Sequence, residues 1–182
     1  MKKLMIAFAT IAVAIVANAA AVEWSMTAIT ASPDSAAAAG WVGYVMDAST
    51  YDAFSALSAD QIASYVDANY LYTGQTKSAR GSIALTIKDG NFAGDETVSS
   101  YMVLFNNADA SAATYYASTA LGSTTIPSGG ADASIKFGTF TTAMSAAGSS
   151  GGWTSTAAVP EPTSGLLMLL GMAGLALKRK RA

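Results

Sequence analysis

Polar and apolar residues alternate cleanly along Ser82-Ile83-Ala84-Leu85-Thr86-Ile87-Lys88, which places Ile83, Leu85 and Ile87 on one face. A period of two marks a half-buried strand. Residues 22–29 repeat the pattern with Val22, Trp24 and Met26 on a common face, and residues 41–46 do so with Trp41, Gly43 and Val45. Residues 134–140 bring Ile135, Phe137 and Thr139 to one side, and residues 113–118, with Tyr115 and Tyr116, read as a further strand. Within residues 99–105, the run Tyr101-Met102-Val103-Leu104-Phe105 is apolar at every position, which predicts a central strand covered on both faces.

A different period governs the segment after Ser58. Ser58 is placed as an N-cap with Gln61 three residues on, the capping-box spacing. Ile62, Tyr65, Val66 and Asn69 follow at helical intervals, a stripe expected to pack into the core. A shorter helical turn is expected over residues 51–57. Turn chemistry marks Ser32-Pro33-Asp34-Ser35, Asp89-Gly90-Asn91 and residues 106–109, and Ile126-Pro127-Ser128-Gly129-Gly130 reads as loop. Six strands and one helix predict a mainly β domain over residues 20–142, either a sandwich or a single sheet with one covering helix. Residues 143–159, rich in Gly, Ser and Ala, have the composition of a flexible linker, with Trp153 expected to pack back on the domain.

The two ends follow neither period. Lys2 and Lys3 precede an apolar run over residues 4–17, and Ala17-Asn18-Ala19 has the small-x-small form of a cleavage site. Residues 1–19 therefore read as a signal peptide, with Ala17 and Ala19 at the cleavage and signal peptidase as the partner. At the other end, residues 160–182 open with Pro160, Glu161 and Pro162. The two prolines lack amide donors and hold φ near −65°, so the triplet is extended, the form a protease grips. Residues 165–177 form a continuous apolar run, and residues 163–177 are predicted to be a transmembrane helix. These fifteen residues rise about 22 Å against a bilayer core of about 30 Å, a short span that snorkelling lysines extend. Lys178, Arg179, Lys180 and Arg181 close the segment and are expected to stay in the cytoplasm as a membrane stop.

A Pro-Glu-Pro triplet, a short apolar span and a basic cluster, in that order, resemble the PEP-CTERM sorting signal of Gram-negative bacteria. The resemblance covers residues 160–181 alone. It implies processing by an exosortase-like membrane enzyme. It further implies an exported protein, held in the inner membrane as a precursor and then moved to the cell surface or extracellular matrix. Family members occur mostly in bacteria that make exopolysaccharide, which makes such a polymer an expected partner.

Charge changes the picture of the domain. The whole chain is 52% hydrophobic with a mean hydropathy of +0.35, but the terminal segments dominate those figures. Residues 20–159 hold four cations, Lys77, Arg80, Lys88 and Lys136, against eleven carboxylates, a net charge of −7. So acidic a body is unsuited to nucleic acid or to anionic headgroups. There are no cysteines and no histidines, which removes thiol chemistry, imidazole bases and imidazole metal sites. No G-x-S-x-G, Walker or H-E-x-x-H motif is present. Carboxylate pairs such as Asp47 with Asp52 or Asp95 with Glu96 are the remaining route to glycoside cleavage, and Asp89, Asn91, Asp95 and Glu96 the remaining oxygen set for Ca²⁺. Both sets are weighed here as solvated surface, and the tyrosines and tryptophans as core. The sequence therefore predicts an exported, surface-sorted, non-enzymatic protein with no cofactor, a structural or adhesive component of a polysaccharide or biofilm matrix. A carbohydrate- or calcium-binding module is the alternative, and a carboxylate-only glycosidase the third reading.

Overall fold

A computed structural model describes residues 19–79, 81–140 and 144–157. The chain is mainly β. The strands in order are β1 (Ala20–Met26), β2 (Val42–Asp47), β3 (Tyr70–Gln75), β4 (Lys77–Ala79), β5 (Ser82–Phe92), β6 (Thr97–Phe105), β7 (Tyr115–Ser118), β8 (Gly122–Thr125), β9 (Ala133–Phe137) and β10 (Trp153–Ser155). Two short helices, α1 (Tyr51–Ser55) and α2 (Ile62–Asn69), lie between β2 and β3, each preceded by a 3-10 turn. The four-stranded sheet runs β4-β5-β1-β9, and the six-stranded sheet runs β10-β7-β6-β2-β3. β8 joins the second sheet by sharing an edge of β6: Thr97 to Ser100 pair with β8, and Val103 to Phe105 with β7. Apart from the parallel pair β1·β9, the strands pair antiparallel.

The alternation predicted from sequence sorts side chains into two cores. Val22, Trp24 and Met26 of β1, Leu85 and Ile87 of β5, and Ile135 of β9 meet Val45, Met102 and Leu104 between the sheets. The opposite face of the six-stranded sheet presents Tyr44, Met46, Tyr101, Val103 and Phe105 to Phe54 of α1 and to Ile62 and Val66 of α2. β6 thus feeds both cores, which is why every position from Tyr101 to Phe105 is apolar and buried. Sandwich and covering helix, read from the sequence as alternatives, occur together as three layers. Each buried aliphatic or aromatic side chain contributes about 1.5–3 kcal/mol by leaving water. The Trp24 indole reaches across the sandwich and donates to Ser100 Oγ at 2.8 Å, so this large ring is buried without an orphaned donor. Gly43 makes the close approach possible, because a Cβ there would stand 2.2 Å from Leu85 Cδ2.

The helical segment starts as expected. Gln61 Oε1 accepts from the Ser58 amide at 3.3 Å and from its hydroxyl at 2.9 Å, the reaching-back half of a capping box. The eight-residue helix ends at Asn69, whose side-chain amide donates to the Tyr65 carbonyl at 2.8 Å.

Three expectations need correction. Asp89-Gly90-Asn91 is not a hairpin turn; β5 runs through it to Phe92 with a register shift opposite Ala20 and Val22. Gly90, at φ +96°, supplies the left-handed residue of that bulge. The reversal comes later, at residues 93–96, where Asp95 takes φ +65°. Second, the strands number ten among the described residues: β3, β4, β8 and β10 were not anticipated. β3, β4 and β8 hold no fully buried side chain and β10 is three residues long, so apolar and polar residues do not alternate clearly there. Third, residues 144–157, expected within the linker, are folded onto the domain and contain β10. Small residues suit close backbone approach as well as they suit flexibility. A Cβ on Gly148, at φ +75°, would meet the Ser55 carbonyl oxygen at 2.3 Å.

Candidate functional site

The place where the domain hands the chain to its C-terminal segment is built with care. Trp153 is fully buried and stands edge-on to Trp41, with ring centroids 5.5 Å apart, and against Phe140 at 6.0 Å. β10 pairs with β7, placing Trp153 opposite Ala117 and Ser155 opposite Tyr115. The preceding loop is tied down as well: the Gly148 amide donates to the buried Tyr116 hydroxyl at 3.0 Å, and Ser118 Oγ donates to the Ser149 carbonyl at 3.1 Å. Beyond β10, the Thr156 amide donates to the Thr114 carbonyl at 3.0 Å, and its hydroxyl to the Ala113 carbonyl at 2.6 Å. The chain is therefore held through Thr156. Pro160 lies four residues further on, a reach of at most about 14 Å when fully extended.

Beside this exit lies a shallow cleft of about 310 Å³ lined by Asp34, Thr114, Tyr115, Ser155, Thr156 and Ala157. Asp34 is its hub. Oδ1 accepts from Ser32 Oγ at 2.8 Å, Ser35 Oγ at 3.2 Å and Asn106 Nδ2 at 2.9 Å, while Oδ2 accepts from the Thr114 hydroxyl. The Thr114 hydroxyl, aided by those of Ser32 and Ser35, holds the Asp34 carboxyl below its ordinary range despite the opposing effect of burial. Asn106 Oδ1 accepts in turn from the Thr114 and Tyr115 amides at 3.1 and 2.9 Å. With four donors on it, this carboxylate is a brace between the β1–β2 loop and the β6–β7 corner rather than a free base. The sequence shows Ser32-Pro33-Asp34-Ser35 only as a turn, because the partners Asn106 and Thr114 are more than seventy residues away.

The carboxylates singled out from sequence mostly close turns. Asp47 caps a 3-10 turn, its Oδ1 accepting from the Ser49 amide at 2.8 Å, and Asp52 sits in the first turn of α1. Asp89 Oδ1 accepts from the Gly90 amide at 2.7 Å, and Glu96 Oε2 from the Ala93 amide at 3.0 Å. Among the described residues no three acidic side chains converge to hold a metal ion, so Asp89, Asn91, Asp95 and Glu96 do not form the calcium cluster considered from sequence. The three tryptophans, Trp24, Trp41 and Trp153, are core, as expected. Burial pushes the Tyr101 hydroxyl up to about 12, against the pull of its bond with Thr50, so it stays protonated at neutral pH.

Ala19 is exposed, and β1 begins at the fully buried Ala20; the signal peptide expected over residues 1–19 otherwise lies outside the described residues. Ala17 lies outside the described residues. So do Pro160, Glu161, Pro162, the span expected at 163–177, and Lys178, Arg179, Lys180 and Arg181. Among the described residues, no helix is long and apolar enough to cross a membrane. A family model of the PEP-CTERM protein-sorting motif matches residues 158–181. No curated protein and no solved structure shows significant similarity to the chain. The chain thus carries the PEP-CTERM motif, beginning at the residue after Ala157, and the motif marks an exported protein processed at the membrane by an exosortase-like enzyme in Gram-negative bacteria.

Proposed function

We propose that this chain is a non-enzymatic surface protein, whose three-layered β domain is delivered by its sorting motif to become a structural or adhesive component of an extracellular polysaccharide matrix. The observation that carries this reading is the junction. The matched motif begins directly after a segment that the domain holds through Thr156, so the β domain is the cargo of the signal. Asp34, Asp47, Asp89 and Glu96 act as braces, caps and turn closures, which supports a scaffold reading over catalysis. Exchange of the precursor from inner membrane to surface follows from cleavage close to Pro160-Glu161-Pro162, with Lys178 to Arg181 as the stop that presents the site at the outer face.

The test uses the full chain in its producing cells. Replacing Pro160 and Pro162 by Ala is expected to leave uncleaved precursor in the inner membrane, because the freed backbone can continue as helix into the site. Neutralising Lys178 to Arg181 is expected to release unprocessed chain. Mass spectrometry of surface and matrix fractions decides: peptides ending near Pro162 and enriched with matrix polymer support the reading. An intact peptide through Lys178 in the surface fraction overturns processing, and absence of the protein from the matrix fraction overturns the matrix role.

A further inference from the structure

A sheet that does not close leaves unpaired backbone groups along its outermost strands, and those groups can bond a further strand. β4 and β9 end one sheet here, and β10 and β3 end the other. Three of these edges are blunted. β4 and β10 are three residues long, and β4 carries Lys77. β9 carries Lys136 and lies against β8, where a Cβ on Gly122 would stand 2.7 Å from Ile135 Cγ2. Where β5 runs on past β4, it carries Lys88, Asp89 and the Gly90 bulge. β3 differs. Its six residues, Tyr70-Leu71-Tyr72-Thr73-Gly74-Gln75, include no charge and no proline. Its one register shift lies at the Tyr70 end, and residues 72–75 pair in unbroken register with Val42 to Val45. Tyr70 and Leu71 are 41% and 45% exposed, large apolar side chains left open to solvent.

The ladder shows which backbone groups of β3 are free. The Thr76 amide donates to the Trp41 carbonyl at 2.8 Å, one place beyond the Val42–Gln75 pair. The Val42 amide turns the other way, to the Asn107 carbonyl at 2.9 Å. Antiparallel pairs alternate between bonded and non-bonded, so Gly74 and Tyr72 bond β2, while Thr73 and Gln75 turn their amides and carbonyls outward. The Thr73 hydroxyl donates back to the Gly43 carbonyl at 3.1 Å, which leaves its backbone clear. Among the described residues, no strand or loop backbone bonds that outer side.

We infer that β3 is a dimer edge: two copies of this chain pair their β3 strands antiparallel about a two-fold axis at Thr73, joining the two six-stranded sheets edge to edge. Free amides and carbonyls in extended backbone call for another strand, and the sequence of β3 is complementary to itself. In this register Thr73 faces Thr73, a favourable cross-strand pair, and Gln75 faces Leu71. Tyr72 falls opposite Gly74 of the second copy, so the weak point of each strand lies beside an aromatic ring of the other. The absence of charge matters because a charged side chain on the axis would meet its own copy. A second copy supplies this pattern at once, and a two-fold pairing closes without growing into a filament. Opposing it is the net charge of −7 on each body. One strand pair is also small beside the about 1,200–2,000 Å² of a stable complex, so the dimer is reversible. Salt screens the repulsion and tightens the pairing. The inference goes beyond the sorting reading and does not depend on it, since the matched motif takes no part.

Sedimentation of the exported chain, purified from its producing cells, tests the pairing at up to about 1 mM chain and at low and high salt. A monomer–dimer equilibrium that stops at two and tightens with salt is expected. In the same samples, hydrogen exchange at the Thr73 and Gln75 amides slows as concentration rises, whereas the Gly74 amide, already bonded to β2, does not change. Thr73→Glu places like charges on the axis and weakens the dimer about tenfold or more. Thr73→Lys does the same, and an equimolar mixture of the two variants recovers it as a mixed dimer. Gln75→Pro removes an outward amide and no bond to β2, so it repeats the loss without adding charge. Ser123→Glu on β8 leaves the dimer unchanged. A monomer at every concentration and salt, a dimer that loosens with salt, association beyond two, indifference to Thr73→Glu in a chain with parental melting, or no recovery on mixing overturns the proposal. Should the variants fail to fold, concentration-independent exchange at Thr73 and Gln75 in the parent chain overturns it, and concentration-dependent slowing there upholds it.

Discussion

Trp153 lets the packing argument be tested at one residue. It is fully buried, closes the end of the inter-sheet core against Trp41 and Phe140, and anchors the three-residue strand from which the chain leaves the domain. Its indole Nε1 is also the one buried side-chain polar atom among the described residues without a hydrogen-bond partner. Trp153→Ala removes the whole ring and should cost about 3–5 kcal/mol. That is a large part of the ~5–15 kcal/mol that holds a typical domain. At about 3–4 °C per kcal/mol for a domain of this size, the melting temperature should fall by roughly 10–20 °C. Trp153→Phe is the sharper variant. It gives up part of the packing but removes an N–H whose unsatisfied burial costs about 1–3 kcal/mol, so the net loss should stay under about 2 kcal/mol. Thermal unfolding of the exported chain, followed by circular dichroism, measures both. A Phe variant melting as low as the Ala variant would show that the indole N–H makes a bond of real value. An Ala variant melting within 2–3 °C of the parent, roughly one kcal/mol, would show that β10 is not docked.

Other expectations follow from single contacts. Gly43→Ala drives a methyl into Leu85 and should cost about 1–3 kcal/mol; adding Leu85→Val should make the pair less destabilising than the sum, read by chemical denaturation. Ser100→Ala orphans the buried Trp24 indole and should cost about 1–3 kcal/mol, with Trp24→Phe in the same chain showing strong coupling in a double-mutant cycle. Asp34 has its folded pKa lowered beneath the ordinary aspartate value of 3.8, so its stabilisation is complete above that pH and is lost as pH falls through and below it; Asp34→Asn should flatten that acid limb of the stability profile.

What the sequence determined by itself is what local spacing encodes. The alternation at Val22-Glu23-Trp24-Ser25-Met26 and at Ile83-Ala84-Leu85-Thr86-Ile87 named both the strands and their inward faces, because a pleated backbone sends neighbours to opposite sides. The uninterrupted run from Tyr101 to Phe105 named the central strand, and Ser58 with Gln61 named the helix start. The triplet at Pro160, the apolar run and the basic cluster identified the sorting motif, since that signal is linear and needs no fold to be read. Tertiary structure alone decided the rest. It made Asp89-Gly90-Asn91 a bulge rather than a turn, because pairing with β1 carried the strand through it. It turned a stretch of glycine and serine into a docked edge, because Trp153 had a cavity between Trp41 and Phe140 to fill. It brought Asp34 to Thr114, and Tyr44 to Asp67 and Asp109, across distances at which spacing carries no information. Strand faces are written by neighbours in the chain, whereas braces and grooves are written by neighbours in space, and only folding makes those neighbours.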